Sequence, residues 1–368
     1  MVRAAVLTGL DQPLVVREGI EVDPPGPGEV RIRVAACGVC RSDLSMQDGT
    51  LPVPMPAVLG HEASAVVEEV GRDVVDVKPG DHVVVSWIPQ CGSCFFCRRG
   101  QPQLCQSADV VLMAGGLLDG TPRLRLDGAP LFQMCGTGTF SEVTVVPATS
   151  VVPIPADVPL DVAALLGCAV LTGVGAALNT ATIRPGDSVV VVGCGGVGLN
   201  VIQGARIAGA EQIVAVDVHP AKLVAAQVLG ATACVDGSKT EPVNAVRDLT
   251  GQRGADVAFE ALGQGRTIDQ VVEMTRRGGQ AVLVGIPRMD VMVSVPAMLG
   301  LVLAERTIKG CWYGSSDIRR DVPRLVELYR DGSLRLDELV SRRIDLSEVN
   351  EALAAMQAGE VSRSVIVY

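Results

Sequence analysis

The hydrophobic pattern of this chain changes character near its middle. Before about residue 150, short apolar runs at 30–36, 63–70 and 82–86 are separated by Gly, Pro and Asp, which is typical of strands joined by turns. Ser188–Val192 is instead a continuous, mostly β-branched run, as expected for a parallel strand that is buried on both faces. The pattern therefore predicts a mostly β domain followed by a domain with a parallel sheet.

After this run, predicted strands alternate with predicted helices. The strands are expected at 212–216, 233–235, 257–260 and 280–284. The helices are expected at 196–208, 221–229 and 266–274. Such alternation is the signature of a doubly wound α/β sheet. Outside this region, further elements are expected as helices at 161–170, 321–329 and 349–358 and a last strand at 365–368.

Composition and charge narrow the classes of function. The chain has 368 residues, of which 48% are hydrophobic and 20% charged, so we expect a globular protein of two domains. The net charge is −10 and the sequence has no cluster of Lys or Arg, which argues against nucleic acid or an anionic membrane as partners. The amino terminus lacks the layout of a signal peptide and no apolar run reaches membrane-spanning length, so we expect a soluble cytoplasmic protein.

Four cysteines lie close together in the sequence, and they are Cys91, Cys94, Cys97 and Cys105. Four thiolates at this spacing suit a closed tetrahedral zinc site, in which no coordination position is left for substrate. A disulfide pair or an iron–sulfur cluster is the alternative. We therefore expect structural zinc here, and the chemistry must lie elsewhere in the chain.

A glycine motif follows the buried run directly, and its residues are Gly193, Cys194, Gly195, Gly196, Val197 and Gly198. It matches the dinucleotide-binding fingerprint, which requires a strand before it and a helix after it. Gly193 would permit the tight turn, Gly195 would let the backbone approach a pyrophosphate, and Gly198 would let the helix pack closely on the strand. The start of the helix then offers free N–H groups to the phosphates.

An acidic residue, Asp217, stands about twenty residues beyond these glycines, at the end of the next predicted strand. A carboxylate at this place can accept both ribose hydroxyl groups of NAD, and it would repel the 2′-phosphate of NADP. Its alternative role is to cap the helix that starts near Pro220. Lys222 could reach the same ribose or be solvated.

Three further segments contain candidate metal ligands, namely Cys40, His61 and Cys168. Together they would form a site with two cysteines and one histidine and an open fourth position, which is the ligand set of alcohol dehydrogenases. Of the other two histidines, His82 is expected to begin a strand and His219 to border the adenosine site or solvent.

The chain resembles the zinc-dependent medium-chain alcohol dehydrogenases over essentially its whole length. The resemblance rests on the Cys-Arg-Ser-Asp motif at 40–43, the Gly-His-Glu motif at 60–62, the four-cysteine loop and the glycine motif. It implies an α/β fold with a GroES-like, mostly β catalytic domain at 1–169 and a Rossmann coenzyme domain, a doubly wound parallel sheet, at 170–312. Residues 313–368 would return to the catalytic domain.

The family resemblance implies one catalytic and one structural zinc per chain, with NAD as coenzyme and an alcohol, aldehyde or ketone as substrate. Asp43 would hydrogen-bond His61 and fix its tautomer. Glu62 would lie behind the catalytic zinc, and Ser42 would begin the proton relay from the alcohol. The residues expected to line the substrate pocket are Trp87 and Met134.

The resemblance also implies a set of coenzyme-binding residues beyond the glycine motif. They are Arg41 and Arg363 at the pyrophosphate, Thr172 and Val197 against the nicotinamide ring, the backbones of Val284, Cys311 and Tyr313 at its carboxamide, and Ile286.

Two alternative functions remain open from the sequence. The segment between Cys105 and Phe140 resembles that of the liver-type and formaldehyde dehydrogenase branch, so the substrate could be a thiol adduct of formaldehyde, with glutathione or mycothiol as the thiol. Only Arg123 and Arg125 are then candidates to bind the carboxylates of the thiol. The second alternative is a non-catalytic nucleotide-binding or structural protein on the same fold. The family resemblance also implies a homodimer or homotetramer, and the liver-type segment between Cys105 and Phe140 favours the dimer.

Overall fold

The structure is a computed structural model that describes residues 2–360 and 363–368. The chain forms two compact units, of which the first comprises Met1–Ala169 and Asp317–Tyr368 and the second Val170–Ser316. The second unit thus extends to Ser316, whereas the sequence analysis ended the coenzyme domain at residue 312.

The described residues contain strands and helices as follows. The strands are β1 Val2–Leu7, β2 Val15–Val22, β3 Glu29–Gly38, β4 Ala57–Val58, β5 Ala63–Val70, β6 His82–Val85, β7 Leu124–Leu126, β8 Ala129–Gln133, β9 Val143–Pro147, β10 Val151–Ile154, β11 Ser188–Val192, β12 Gln212–Asp217, β13 Ala233–Asp236, β14 Ala255–Glu260, β15 Thr275–Leu283, β16 Thr307–Gly310, β17 Arg342–Ile344 and β18 Ser364–Val367. The α-helices are α1 Arg41–Gln47, α2 Phe95–Arg98, α3 Gln106–Ala114, α4 Leu160–Ala163, α5 Ala169–Gly175, α6 Gly196–Ile207, α7 Pro220–Leu229, α8 Pro242–Leu249, α9 Gly265–Met274, α10 Ile318–Arg330 and α11 Val349–Gln357.

The first unit is built mostly of β-structure. Strands β1, β2, β7, β8 and β4 close into a barrel, and a second sheet has the order β10-β6-β5-β3-β18-β17, with β9 also paired to β3. The last strand, β18, runs antiparallel to β3 and pairs Val365 with Gly38. This pairing brings the carboxy-terminal segment back into the first unit, where it supports the strand that leads to Cys40.

The second unit has a six-stranded sheet in the order β13-β12-β11-β14-β15-β16, and every neighbouring pair is parallel. This is the strand order of a Rossmann fold. The valines of β11 are buried, and Val190 and Val192 pack in one hydrophobic cluster with Val246 of α8 and Val271 of α9. The expected fold class is confirmed, because a strand covered on both faces needs the continuous apolar run that the sequence has.

The predicted helix at 161–170 is wrong as a single element. Helix α4 ends at Ala163, a 3₁₀ turn covers Ala164–Gly167, and α5 begins only at Ala169. The backbone of Cys168 between them has φ −143° and ψ −75°, which is outside helical geometry. The break falls on one of the candidate zinc ligands, and a regular helical pattern of apolar residues gives no sign of it.

Among the described residues, no single helix is long and apolar enough to cross a bilayer. One bent pair of helices, Leu160–Gly167 with Ala169–Thr180, has the required length and composition only when its two parts are taken together.

The segment between Cys105 and Phe140 is tied to the first strands by arginines. Arg123 bonds Glu29 through Nε and Oε2 at 2.9 Å and Asp119 through Nη2 and Oδ2 at 2.7 Å, and its side chain is only 14% exposed. Arg125 pairs with Asp23 at 3.1 Å, but its side chain is 40% exposed. The two arginines therefore make similar contacts at different depths.

We expect Arg123→Met to destabilise the protein and Arg125→Met to have little effect. Removal of Arg123 leaves the nearly buried Glu29 carboxylate without its ion pair, which costs about 3 kcal/mol, whereas an exposed pair contributes about 0–1 kcal/mol. Thermal and urea unfolding of both variants would measure this difference. Equal free energies of unfolding in the two variants would contradict the inference that the buried ion pair of Arg123 stabilises the fold more than the exposed pair of Arg125.

Candidate active site and zinc centres

The four cysteines of the loop at 91–105 come together in the first unit. Their sulfur atoms all lie within 4.8 Å of one another, and none of the eleven cysteines is in a disulfide. Two backbone N–H groups point at this cluster: that of Cys94 donates to Cys91 Sγ and that of Cys91 donates to Cys105 Sγ, each at 3.4 Å. Although burial opposes it, hydrogen bonds from Ser93 and Cys94 lower the pKa of Cys91 to about 5. These donors favour the thiolate, the form that binds zinc, at Cys91, whereas burial raises the pKa of Cys97 and Cys105.

A second cluster contains Cys40, His61 and Cys168, and all three residues are buried. Their ligand atoms also lie within 4.8 Å of one another, although they come from the start of α1, the loop after β4 and the break before α5. A hydrogen bond from the Cys168 thiol is the main cause that lowers the pKa of Cys40 well below its usual range.

The donor atoms of this second cluster fit a metal ion. His61 Nε2 is buried and has no hydrogen-bond partner among the described residues, which is costly for a polar atom unless a ligand satisfies it. Two sulfurs and one imidazole nitrogen are ligands that zinc prefers, and three protein ligands leave one position for another group.

The buried carboxylate of Asp43 organises this cluster. Its Oδ1 lies 3.3 Å from His61 Nδ1 and accepts the N–H of Gly60 at 3.1 Å, while its Oδ2 accepts the N–H of Cys40 at 2.8 Å. The contact with Nδ1 leaves Nε2 facing the cysteines as a free electron-pair donor. Gly60 has φ +88°, and a Cβ there would approach the Phe140 backbone nitrogen to 2.6 Å, so only glycine fits before His61.

Glu62 and Arg363 form a buried ion pair next to the cluster. Glu62 Oε2 lies 3.5 Å from Arg363 Nη1, and the same Nη1 donates to the Val39 carbonyl at 2.9 Å. Burial raises the pKa of Glu62 to about 8, against the opposing charge of Arg363. The guanidinium group of Arg363, which the family resemblance places at the coenzyme pyrophosphate, is thus held inside the first unit. Arg41, which the resemblance places at the same pyrophosphate, is exposed at the start of α1.

Three other residues assigned to catalysis or the substrate pocket lie in the first unit. Ser42 Oγ is 3.9 Å from Cys40 Sγ. The Trp87 ring stands edge-on to the His61 ring, with centroids 6.5 Å apart. Met134 is buried in the turn after β8, where its carbonyl accepts the hydroxyl of Thr137 at 2.7 Å. Ser42 and Trp87 are therefore directly beside the cluster.

The glycine motif of the second unit has the local geometry that its sequence predicts. Gly193 has φ +95°, in the region that favours glycine. A Cβ on Gly198 would lie 1.8 Å from the Gly193 carbonyl oxygen, so glycine is needed for the close approach of α6 to the loop. A Cβ on Gly195 would meet no atom within 4 Å, so its backbone faces open space at the start of α6.

Asp217 holds the same loop from the end of β12. Its Oδ2 accepts the N–H of Cys194 at 2.8 Å and its Oδ1 accepts the N–H of His219 at 2.9 Å. Helix α7 begins at Pro220, and Lys222 lies half-buried in its first turn. The Asp217 carboxylate thus bonds the loop of the glycine motif, and it also lies at the position where the sequence predicts the coenzyme ribose.

The remaining coenzyme-binding candidates lie in the second unit. Val284 and Ile286 follow β15, Cys311 and Tyr313 follow β16, Val197 is in the first turn of α6, and Thr172 is on α5. The carboxyl ends of parallel strands share one sheet edge, where Rossmann folds bind their ligands, so the candidates after β15 and β16 lie at the expected edge.

Glu260 holds the loop beside the glycine motif, a role that the sequence pattern did not predict. It is buried at the end of β14, and its carboxylate accepts the N–H groups of Leu262 and Gly263 and the hydroxyl of Thr267 at 2.6–3.0 Å. The Leu262 side chain lies against Gly193, so Glu260 shapes the loop beside the glycine motif. The available signal was an acidic residue at the end of a buried strand, as at Asp217.

Comparisons with known proteins agree with this geometry. Residues 26–156 match the alcohol dehydrogenase GroES-like domain, and residues 196–331 match the zinc-binding dehydrogenase family. The chain is 39% identical to a Mycobacterium tuberculosis protein named "Putative alcohol dehydrogenase D", over 99% of both chains.

Two solved structures extend the comparison. Benzyl alcohol dehydrogenase of Acinetobacter calcoaceticus is 30% identical with a TM-score of 0.93, and the match covers 100% of this chain and 99% of that one. A protein of Sinorhizobium meliloti described as "a putative zinc-binding dehydrogenase", solved with NADP bound, is 27% identical with a TM-score of 0.80 and the same coverage. The chain belongs to the zinc-dependent medium-chain alcohol dehydrogenases, a family of oxidoreductases that bind a pyridine nucleotide.

Proposed function

We propose that the protein oxidises an alcohol to an aldehyde or ketone with NAD, or catalyses the reverse reaction, and that each chain holds one catalytic and one structural zinc. The observation that carries the proposal is the buried cluster of Cys40, His61 and Cys168, in which His61 Nε2 has no partner among the described residues. The four-cysteine cluster supplies four ligands and leaves no position for substrate.

The two bound groups would provide the reactive chemistry. When bound, zinc supplies a Lewis acid that lowers the pKa of a substrate hydroxyl, and the nicotinamide supplies the hydride acceptor. We assign Cys40, His61 and Cys168 to hold the catalytic zinc and Asp43 to orient His61. We assign Glu62 to a position behind the metal, where Arg363 partly offsets the cost of its burial.

Ser42 is our candidate for the first group of the proton relay, in which its Oγ would accept the hydroxyl proton of the substrate while its own proton passes on to water. Its Oγ lies 3.9 Å from Cys40 Sγ and its side chain is only half-buried, so the relay has a route to solvent. Trp87, edge-on to His61, is our candidate for an apolar wall of the substrate pocket, with Met134 as a second pocket residue. An aromatic wall favours apolar alcohols, and benzyl alcohol is a suitable first substrate to test.

NAD is the proposed coenzyme because of Asp217. Its carboxylate would accept ribose hydroxyl groups and repel a 2′-phosphate. The open space beside Gly195 and the free N–H groups at the start of α6 support a pyrophosphate there. The proposed ring and carboxamide contacts are those of Thr172, Val197, Val284, Ile286, Cys311 and Tyr313, with Lys222 at the ribose and Arg41 toward the pyrophosphate. Arg363, whose Nη1 pairs with Glu62, would bind the pyrophosphate only through its remaining N–H groups.

A thiol-dependent formaldehyde dehydrogenase is the second candidate. It needs basic side chains to bind the carboxylates of the thiol, and the sequence offered Arg123 and Arg125. In the structure Arg123 is engaged by Glu29 and Asp119, and Arg125 by Asp23. These ion pairs favour a simple alcohol. A rate that depends strongly on added glutathione or mycothiol would instead support the second candidate.

The non-catalytic alternative is disfavoured because all seven proposed zinc ligands are present in the two clusters, which supports an enzyme.

We also propose that the protein forms a homodimer through the second unit. Strand β16 is at the edge of the sheet with most of its residues exposed. Large apolar side chains are exposed nearby in sequence, and they are Met289, Met292, Val293, Met298, Leu299, Val302 and Leu303. A second copy would cover both the free strand edge and this apolar segment.

Replacement of either proposed catalytic ligand, as in Cys40→Ala or His61→Ala, should remove one zinc per chain and abolish turnover. Cys94→Ala should instead lower thermal stability or assembly first, because a structural zinc contributes to folding. Metal content by mass spectrometry, NADH absorbance with an alcohol panel, and thermal unfolding measure the three effects. Full zinc content and activity in both ligand variants would refute the assignment.

The two glycines of the coenzyme loop should respond differently to alanine. Gly198→Ala should lower stability by about 1–3 kcal/mol or more, because its Cβ would collide with the Gly193 carbonyl. Gly195→Ala should fold normally, because its Cβ meets nothing, but should weaken NAD binding about tenfold or more by occupying space at the pyrophosphate. Unfolding curves and NAD titrations test both, and normal NAD affinity in folded Gly195→Ala would contradict the site.

Leu299→Glu combined with Val302→Glu should convert a dimer into monomers, because two carboxylates would be buried without partners at the interface. The matched control is Val75→Glu in the first unit, where an even more exposed valine, 89% against 70% for Val302, lies outside the apolar segment. Sedimentation velocity gives the mass of each variant. A monomeric wild type, or equal dissociation of the Val75 control, would contradict the interface.

A further inference from the structure

Five arginines surround a pocket of about 420 Å³ in the second unit. They are Arg247, Arg253, Arg276, Arg277 and Arg306, with Gln252 and Glu273 completing the lining. Arg247 lies in the last turn of α8 and Arg253 in the loop after it, Arg276 and Arg277 lie at the start of β15, and Arg306 directly precedes β16, while Glu273 is in the last turn of α9. Because all strands of this sheet run parallel, the pocket is at the opposite sheet edge from the glycine motif.

Positive charge in this pocket is not balanced by the protein. Arg276 pairs with Asp256 at 2.6 Å, but none of the other four arginines has a carboxylate oxygen within 4.0 Å in the part of the chain that the structure describes. The lining has five guanidinium groups, and the carboxylates that line the pocket or bond its lining are those of Glu273, Asp256 and Asp248, the last of which accepts from Gln252 Nε2 at 2.6 Å, so a local charge of +2 remains in a chain whose net charge is −10. Partial burial, together with the charges of Arg247 and Arg277, lowers the pKa of Arg306. The arginines therefore repel one another.

Backbone carbonyls hold three of these side chains in place. Arg306 Nε donates to the Thr275 carbonyl at 2.9 Å, and Arg247 Nη2 donates to that of Glu273 at 3.3 Å. Arg276 Nη1 donates to the Arg277 carbonyl at 2.5 Å. The carboxyl end of α9 attracts cations and accounts for part of this arrangement. The end of this helix does not account for Arg253 and Arg277, which are exposed. Each guanidinium group has five N–H donors, and most of these donors remain for a ligand.

We propose that this pocket binds a small polyanion that carries two or more phosphate groups. Guanidinium groups match phosphate oxygens in pairs, and several of them fixed around one pocket bind several phosphates without much loss of side-chain freedom. A single carboxylate would leave the local charge positive. The ligand chemistry is common to inorganic polyphosphates and nucleoside polyphosphates, and the proposal does not rest on the proposed function.

The test is a calorimetric titration of the whole protein with tripolyphosphate in the presence of saturating NAD, which occupies the coenzyme loop. We expect one tripolyphosphate per chain. The double variant Arg277→Gln with Arg306→Gln should bind at least about tenfold more weakly, because charged hydrogen bonds are lost. Arg72→Gln, an exposed arginine of the first unit, is the matched control and should bind as the wild type does.

ATP and poly-glutamate titrations identify the source of the anion. Tighter binding of ATP assigns a nucleotide and tighter binding of tripolyphosphate an inorganic anion, and either result supports the proposal. Unchanged tripolyphosphate affinity in the folded double variant would overturn it, as would an effect reproduced by sodium chloride of equal ionic strength. Binding of poly-glutamate alone, or a change of mass in the double variant without a change of affinity, would make the surface a protein interface and also overturn it.

Discussion

The buried carboxylate of Asp43 is the group on which the catalytic cluster depends. It accepts the N–H groups of Cys40 and Gly60 and contacts His61 Nδ1, so one side chain sets the positions of two ligands from separate segments. A buried charge without such partners would be strongly unfavourable, and these contacts offset that cost. Because both oxygens are engaged, loss of this carboxylate would release α1 and the His61 loop together.

Buried carboxylates organise the second unit in the same way. Asp217 at the end of β12 and Glu260 at the end of β14 each accept N–H groups from the loop that follows their own strand, and Asp217 also accepts one from the loop after β11. A loop at a strand end has backbone donors that the sheet no longer satisfies, and a short acidic side chain there can bind them. The loop after β11 is therefore hydrogen-bonded on its inner side, through Asp217, and open at Gly195, where the coenzyme is proposed to bind.

The charges of the chain are distributed unevenly in space. The sequence has no run of basic residues, yet the folded second unit gathers arginines from positions between 247 and 306 around one pocket. In the first unit, by contrast, Arg123 and Arg125 of the segment between Cys105 and Phe140 form ion pairs with carboxylates. Arg123 and Arg125, which have carboxylate partners, make structural contacts. The arginines of the pocket, most of which have no carboxylate partner, form a surface suited to an external anion.

The sequence by itself determined those features in which the chemistry depends on near neighbours. The spacing of the four cysteines, the glycine motif and the valine run of β11 each predict their local structure, because chain geometry over a few residues leaves few alternatives. The sequence motifs indicated Cys40, His61 and Cys168 as candidate ligands but could not show their convergence. Tertiary structure decided that convergence, the break of the helix at Cys168, the bonding of Asp43, Asp217 and Glu260, and the arginine pocket. These contacts join residues far apart in the chain, and only the packing of strands and helices fixes such distances.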